Sequence, residues 1–218
     1  MIPFIKLEKS KNFEKKILSD FKLILKKKNF LDYSITENLE NKINKKIKTK
    51  FCSVCGNGTD ALQLALRCSG VGINDKVLVQ DFTFWGTLES IINVGAMPYL
   101  IDVEKYTHTV SLSKLRTAID DIKPKAIIIV HLFGWGDPEL DKIRLMCKKK
   151  KVVLIEDGAQ AFGSKYKGRN LASESELFTY SFYPSKIFGS CGDSGAVMTN
   201  KRQNYLNVNS LRDHGRSS

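Results

Sequence analysis

The sequence predicts an α/β fold with three layers, in which helices cover both faces of a mostly parallel, seven-stranded sheet. Two observations support this prediction. Seven short apolar runs recur between residues 51 and 200, and helical patterns separate the first five of them. Continuous Ile- and Val-rich runs are typical of strands that are buried on both faces, as in a parallel sheet.

The first fifty residues are expected to form a helical arm. Apolar side chains recur at helical spacing from Asn12 to Lys28, and a second helical pattern runs from Thr36 to Lys48. The short apolar runs begin only after Lys50. We therefore assign residues 1–50 to the arm and residues 51–218 to one larger domain.

The larger domain alternates candidate strands with candidate helices. The strands are FCSVC, KVLV, PYLID, KAIIIV, VVLIED, LFTYSF and GAVMTN. The helices are expected at residues 59–68, 84–94, 111–119, 138–149 and 201–212. A loop rather than a good helix precedes GAVMTN, which allows this last strand to run antiparallel.

Composition narrows the possible partners and location. The net charge of +12 admits nucleic acid, an anionic membrane or a small anionic substrate. The lysine runs lie at the ends of helical patterns and lack interleaved aromatic residues, so a solvated face is the favoured interpretation. No apolar run is long enough to span a bilayer, and the N-terminus lacks a signal peptide's apolar stretch. We expect a cytoplasmic protein that binds neither nucleic acid nor membrane.

The cysteines do not indicate a disulfide framework or a metal site. Their number, five, is odd in a chain that looks intracellular. Cys52 and Cys55 form an isolated C-x-x-C, and no second pair follows at zinc-finger spacing. The favoured interpretation is that both pack as small hydrophobic residues, so no metal is expected.

Two predicted strand ends offer anion and cation binding, since ligands of open α/β sheets bind beyond the carboxyl ends of parallel strands. A turn containing Gly56 and Gly58 leads into a helix, and the free amides of a helix N-terminus bind phosphate. A plain helix cap explains this turn equally well. After another strand come two carboxylates, Glu156 and Asp157, and a carboxylate at such a strand end could hold a cationic ring nitrogen, although a turn or cap role is slightly favoured in isolation.

Two further strand ends present a lysine and a histidine. Lys186 follows the strand-end hydroxyl of Ser181 and precedes a glycine-rich stretch. Most lysines are surface charges, but this placement suits Schiff-base chemistry near a phosphate. His131 either touches the site or is a hydrogen-bonded core histidine, and the core interpretation is favoured.

Together these segments resemble the DegT/DnrJ/EryC1/StrS family of sugar aminotransferases, which depend on pyridoxal phosphate (PLP) and have the aspartate-aminotransferase fold (fold type I). The resemblance runs from about Phe51 to Gly215. NGTDALQLAL is similar to the family's phosphate turn, and DFTFWGT to its ring-stacking segment. EDGAQAFGSKYKGR resembles its EDAAQA-type motif, and SFYPSK its Schiff-base motif. The resemblance implies a PLP-transferase large domain with PLP as the cofactor.

The same resemblance implies roles for individual residues. Lys186 would hold PLP as a Schiff base and later move the proton between substrate and cofactor. Asp157 would pair with the pyridinium nitrogen and keep it protonated. Gln160 would lie near the ring hydroxyl, and Phe84 would stack on the ring. The phosphate would be bound by Gly58, Thr59, Asp60 and Ser181.

The implied activity is transfer of an amino group, expected from glutamate, to a keto group of a nucleotide-linked sugar. The product would feed lipopolysaccharide, O-antigen or another glycan, and fold relatives imply a homodimer. The chain departs from the family pattern at Ile187, where Asn is usual, and at Asp193-Ser194-Gly195.

Family members are also longer, so we expect the small C-terminal domain to be absent from these 218 residues and their activity alone to be feeble. The competing hypothesis is a truncated, non-catalytic domain that binds PLP or a partner. A desulfurase of the same fold is less favoured, because SFYPSK and EDGAQ point to the sugar branch.

Overall fold

The computed structural model describes residues 10–216 and confirms the α/β fold. Its helices are α1 (Lys11–Lys27), α2 (Tyr33–Ile47), α3 (Gly58–Cys68), α4 (Trp85–Asn93), α5 (Leu112–Ile122), α6 (Leu140–Lys150) and α7 (Arg202–Arg212). Its strands are β1 (Phe51–Cys55), β2 (Lys76–Gln80), β3 (Met97–Ile101), β4 (Ala126–Val130), β5 (Val153–Asp157), β6 (Lys165–Tyr166), β7 (Arg169–Asn170), β8 (Leu177–Ser181) and β9 (Gly195–Thr199). Residues 1–9 of the predicted arm and 217–218 of the predicted domain lie outside the described residues.

The main sheet has seven strands in the order β1-β9-β8-β5-β4-β2-β3, and it is mostly parallel as predicted. Only β9 is reversed, since it pairs antiparallel with both β8 and β1. The carboxyl ends of β1, β4, β5 and β8 therefore meet at one edge. β6 and β7 form a small separate hairpin that the apolar pattern did not predict, because two-residue strands carry no periodic signal.

Alternate residues of the central strands contribute to different cores. In β4, Ile128 faces a cluster that includes buried residues of α3 and α4, whereas Ile127 and Ile129 face a cluster with α5 and α6. Burial of each such side chain stabilises the fold by about 1.5–3 kcal/mol. The same alternation decides which face of the sheet each residue at a strand end can reach.

The two N-terminal helices differ in how they contact the sheet. α1 begins where Ser10 Oγ accepts a hydrogen bond from the Phe13 amide at 3.2 Å, and it buries none of its side chains. α2 buries Ile43 and Ile47. Its Glu40 side chain accepts from the Val54 amide at 2.9 Å and from the Arg212 guanidinium. This carboxylate therefore joins α2, β1 and the end of α7.

None of the helices between residues 10 and 216 combines the length and apolar character needed to cross a lipid bilayer. Cys52 and Cys55 pack into different core clusters, one on each side of the sheet. Burial raises the pKa of Cys55 to about 12, so this thiol stays protonated at neutral pH.

Gly158, directly after β5, makes a close contact that a side chain would break. A Cβ there would lie 1.9 Å from Cε1 of Phe178, which is fully buried. We expect Gly158→Ala to lower the free energy of unfolding by about 1–3 kcal/mol through overpacking, measured by urea denaturation. In the double variant Gly158→Ala/Phe178→Leu the two losses should be less than additive. Strict additivity would show that this contact does not require glycine.

Candidate active site

A cavity of about 700 Å³ opens at the carboxyl edge of the sheet. Its walls come from the turn after β1, from α3 and α4, from the ends of β4 and β5, and from the segment after β8. It is lined by all eight residues that the sequence predicted to be catalytic or cofactor-binding, namely Gly58, Thr59, Asp60, Phe84, Asp157, Gln160, Ser181 and Lys186. The structure thus brings them to one place, and their individual roles stay predictions.

The turn between β1 and α3 is a helix cap that leaves two amides free. Asn57 Oδ1 accepts from the Asp60 amide at 2.8 Å, and Asn57 Nδ2 donates to Asp60 Oδ2 at 3.0 Å. The amides of Gly58 and Thr59 donate to no acceptor among residues 10–216. A Cβ on Gly58 would lie 2.7 Å from Ser181 Cβ, so the turn lies against the end of β8. The cap and the anion-binding interpretations are therefore compatible.

Asp157 ends β5 as a buried carboxylate, 4% exposed, in the wall of the cavity. Its Oδ1 accepts from the Ala159 amide at 3.0 Å, and its Oδ2 accepts from Thr87 Oγ1 at 3.0 Å. Burial raises the pKa of this carboxyl above its usual value, although both hydrogen bonds and the charges of His131 and Lys186 oppose the rise. A cationic partner in the cavity would stabilise the carboxylate form.

Glu156, the preceding residue, reaches the opposite face of the sheet. Arg144 on α6 binds it in a bidentate manner, with both N–O distances 2.9 Å, and His131 Nε2 lies 2.9 Å from Glu156 Oε2. Burial opposes ionisation here, but the contacts from His131 and Arg144 lower the pKa of Glu156. Of the two adjacent carboxylates, only Asp157 lines the cavity.

His131 matches the favoured core interpretation. It is 1% exposed, hydrogen-bonded to Glu156 and stacked on Phe178 with ring centroids 5.4 Å apart. It also forms part of the cavity wall, next to the end of β4. The two sequence-based alternatives therefore do not exclude each other.

Lys186 lies in the turn that follows β8. The turn is closed by a hydrogen bond from the Lys186 amide to the Tyr183 carbonyl at 2.8 Å. The lysine is half-buried and lines the cavity together with Ser181 and Tyr183. Its amino group is close enough to Asp157 for its charge to lower the pKa of that carboxyl.

Phe84 and Gln160 contribute an exposed ring and an oriented amide. Phe84 occupies the N-cap position of α4 and is 72% exposed, so its ring is free to cover a flat ligand in the cavity. Gln160 Oε1 accepts a hydrogen bond from the Phe133 amide at 2.7 Å. This bond leaves the side-chain nitrogen, Nε2, as the donor for a ligand.

Two residues of the site were missed by the sequence analysis. Asn57 caps α3, and it stands directly before the first helical residue, where a cap is expected. Thr87 binds Asp157, and its signal was the four-residue spacing from Thr83 within DFTFWGT. In the structure the two hydroxyls lie 2.9 Å apart at the start of α4, with Thr83 before the helix, but the spacing alone does not reveal which distant carboxylate Thr87 meets.

The residues of the cavity fit PLP. Free amides at the start of α3 and the Ser181 hydroxyl suit a phosphate, and the half-buried Lys186 suits an aldehyde. Among residues 10–216 the buried Asp157 accepts two hydrogen bonds, which leaves capacity for the protonated nitrogen of a pyridine ring. The volume of about 700 Å³ lies within the usual range of cofactor sites and leaves room for a substrate.

The chain is similar in sequence to known aminotransferases. Residues 11–218 match the sequence profile of the DegT/DnrJ/EryC1/StrS aminotransferase family. A relative from Pseudomonas aeruginosa, UDP-2-acetamido-2-deoxy-3-oxo-D-glucuronate aminotransferase, is 33% identical over 99% of this chain and 60% of its own length. The chain thus spans about three-fifths of that relative. Other relatives are named for GDP- and dTDP-linked sugars.

Two solved structures share the fold closely. A DegT/DnrJ/EryC1/StrS aminotransferase from Brucella abortus has a TM-score of 0.90 at 30% identity, over 97% of this chain and 58% of that one. The Bacillus subtilis protein NtdA, with bound cofactor PMP, has a TM-score of 0.90 at 25% identity, over 99% of this chain and 49% of that one.

Proposed function

Since this chain belongs to the DegT/DnrJ/EryC1/StrS aminotransferase family, we propose that it acts as a PLP-dependent aminotransferase on a nucleotide-linked ketosugar. The observation that carries this proposal is the shared cavity, in which Lys186, Asp157 and the phosphate turn converge. We propose glutamate as the amino donor. Relatives named for UDP-, GDP- and dTDP-linked sugars support a nucleotide sugar as the substrate class.

Each cavity residue has a definite task in this reaction. When bound, PLP supplies an electron sink for the substrate carbon that loses its proton. Lys186 Nζ would hold the cofactor and would be the base that takes and returns this proton. Asp157 holds the proton on the ring nitrogen by a charge-assisted hydrogen bond. The amides of Gly58 and Thr59 and the hydroxyl of Ser181 bind the phosphate.

The other residues orient the ring and exclude water. Phe84 would cover one face of the cofactor ring, and Gln160 would lie near the ring hydroxyl. Asp60 acts through the cap that it forms with Asn57, because this cap holds the first turn of α3 in position. Rigid placement of this kind is what makes a proton transfer efficient.

We also propose that the protein is a cytoplasmic homodimer that contributes to glycan synthesis. The support for a dimer is a group of large apolar side chains that are exposed on segments contributing to the cavity wall, and surfaces of this kind mark contacts between proteins. These side chains are Phe84, Trp85, Phe133, Trp135, Tyr183 and Ile187. Residues from a second copy could then complete the site.

The proposal is tested by trapping the cofactor. The protein is loaded with PLP, reduced with borohydride and digested, and the labelled peptide is identified by mass spectrometry. We expect the label on Lys186 alone. A label on another lysine would contradict the assignment of Lys186, and the absence of any label would contradict the proposal that PLP is the cofactor.

The reaction is tested separately with a panel of nucleotide ketosugars and glutamate. We expect an aminated sugar nucleotide and 2-oxoglutarate in equal amounts, detected by mass spectrometry. Tight PLP binding without product from any sugar would instead favour a non-catalytic PLP-binding domain.

A further inference from the structure

Two threonine hydroxyls, one just before α4 and one in its first turn, form a chain that ends on Asp157. Thr87 is 1% exposed, and its Oγ1 lies 3.0 Å from Asp157 Oδ2 and 2.9 Å from Thr83 Oγ1. A hydroxyl has one proton to donate. When Asp157 is a carboxylate, Thr87 therefore donates to Asp157, and Thr83 donates to Thr87.

We propose that Thr87 is a positioning residue, whose hydroxyl is oriented by Thr83 and holds Asp157 in place and ionised opposite the cofactor's ring nitrogen. The inference rests on the proposed function for the identity of that cofactor. The hydrogen bonds of Thr87 and Asp157 do not depend on which cofactor binds.

Thr87 is the contact that fixes Asp157 from outside its own turn. The other hydrogen bond to the carboxylate, from the Ala159 amide two residues on, is local and is typical of turns that begin with an aspartate. Thr87 lies seventy residues away in the sequence, on α4, whereas Asp157 ends β5. Because Oδ2 is buried, loss of this donor would leave a charged oxygen without a partner, which costs more than an ordinary hydrogen bond.

The Thr87 hydroxyl is one of the groups that oppose the effect of burial on the pKa of Asp157. Burial is the largest influence on Asp157 and raises its pKa, whereas the bonds from Ala159 and Thr87 lower it. Among the charged groups, His131 at the end of β4 and Lys186 after β8 also lower it. The other carboxylates of the cavity lining belong to Asp60, Glu89 and Asp193.

The position of Thr87 is itself constrained by packing of the first turn of α4. The Thr87 amide donates to the Phe84 carbonyl at 3.0 Å. At Gly86 a Cβ would lie 2.8 Å from Thr59 Oγ1, so this turn lies directly against the phosphate turn. One helical turn therefore joins the residues proposed to meet the phosphate, the ring face and the ring nitrogen.

The test compares Thr87→Val, which removes the hydroxyl at nearly constant volume, with Thr87→Ser, which keeps it. The carboxyl of Asp157 is titrated by carbon-13 NMR in cofactor-free protein, and its signal is identified by its loss in Asp157→Asn. We expect Thr87→Val to raise the midpoint by about one to two pH units, which corresponds to a lost bond to a charged group. Thr87→Ser should stay close to the wild-type midpoint.

A second measurement uses the cofactor. The dissociation constant of PLP is expected to rise about tenfold or more in Thr87→Val, and the pH at which the absorption of bound PLP changes should shift with the carboxyl midpoint. Thr83→Val should shift both in the same direction by less. It also serves as the second variant if Thr87→Val does not fold.

The inference is overturned if removal of the hydroxyl leaves the Asp157 titration unchanged, or if Thr87→Ser shifts it as much as Thr87→Val. Failure of the proposed function has a different signature. In that case PLP does not label Lys186 in the wild-type protein, while the carboxyl titration of the cofactor-free variants still reports on Thr87.

Discussion

Replacement of Lys186 by alanine is expected to lower kcat for amino-group transfer by about 10³-fold or more, because the proton then has no base to carry it. The structure places this lysine in the cavity wall, within electrostatic reach of Asp157. The phosphate turn is untouched in the variant, so PLP should still bind, although more weakly. The measurement is turnover of the ketosugar at matched PLP occupancy, in protein produced from the complete gene.

A matched control is available on the same domain. Lys165 in β6 is exposed and lies outside the cavity lining, so Lys165→Ala removes one lysine without touching the site. We expect it to keep wild-type turnover. Small primary amines added to Lys186→Ala should restore part of the rate, since they can replace the missing base. Turnover in Lys186→Ala above about a tenth of the wild-type rate would contradict the assignment.

Asp157→Asn is expected to lower kcat by about 10²- to 10³-fold while PLP stays bound, and this is the second large effect. The neutral amide cannot stabilise a proton on the ring nitrogen as a carboxylate does, so the electron sink is weakened. The turn proposed to bind the phosphate, together with Lys186, should still hold the cofactor. The measurement is kcat together with the dissociation constant of PLP, and a loss confined to PLP affinity would argue for a binding role only.

The same variant makes a prediction about stability in the absence of cofactor. Burial raises the pKa of Asp157 in the folded protein, so its contribution to stability is present below the usual aspartate pKa and is lost as the pH rises through the folded value. In Asp157→Asn the side chain does not ionise, so this loss of stability with rising pH does not occur. The free energy of unfolding of Asp157→Asn relative to wild type should therefore increase as the pH rises from acid towards neutral. A constant difference across this range would show that burial does not penalise the carboxylate.

The apolar pattern was sufficient to predict most of the fold. The seven apolar runs coincide with the seven strands of the main sheet to within one residue at each end, and the loop before GAVMTN correctly allowed a reversed strand. Helix ends were shifted by up to three residues, as at α2, which begins at Tyr33 rather than Thr36. Helix ends depend on local caps such as Asp32, which an apolar pattern does not register.

By itself, the sequence determined the elements, their order and the residue types available at each strand end, because these follow from local apolar periodicity. The apolar pattern left open which of two adjacent carboxylates faces the cavity, and the tertiary structure decided it, since strand alternation sends Glu156 to Arg144 and leaves Asp157 at the site. It also decided that Thr87 meets Asp157 across seventy residues. Contacts between distant segments depend on how helices pack on the sheet, and the pattern within each segment does not contain that information.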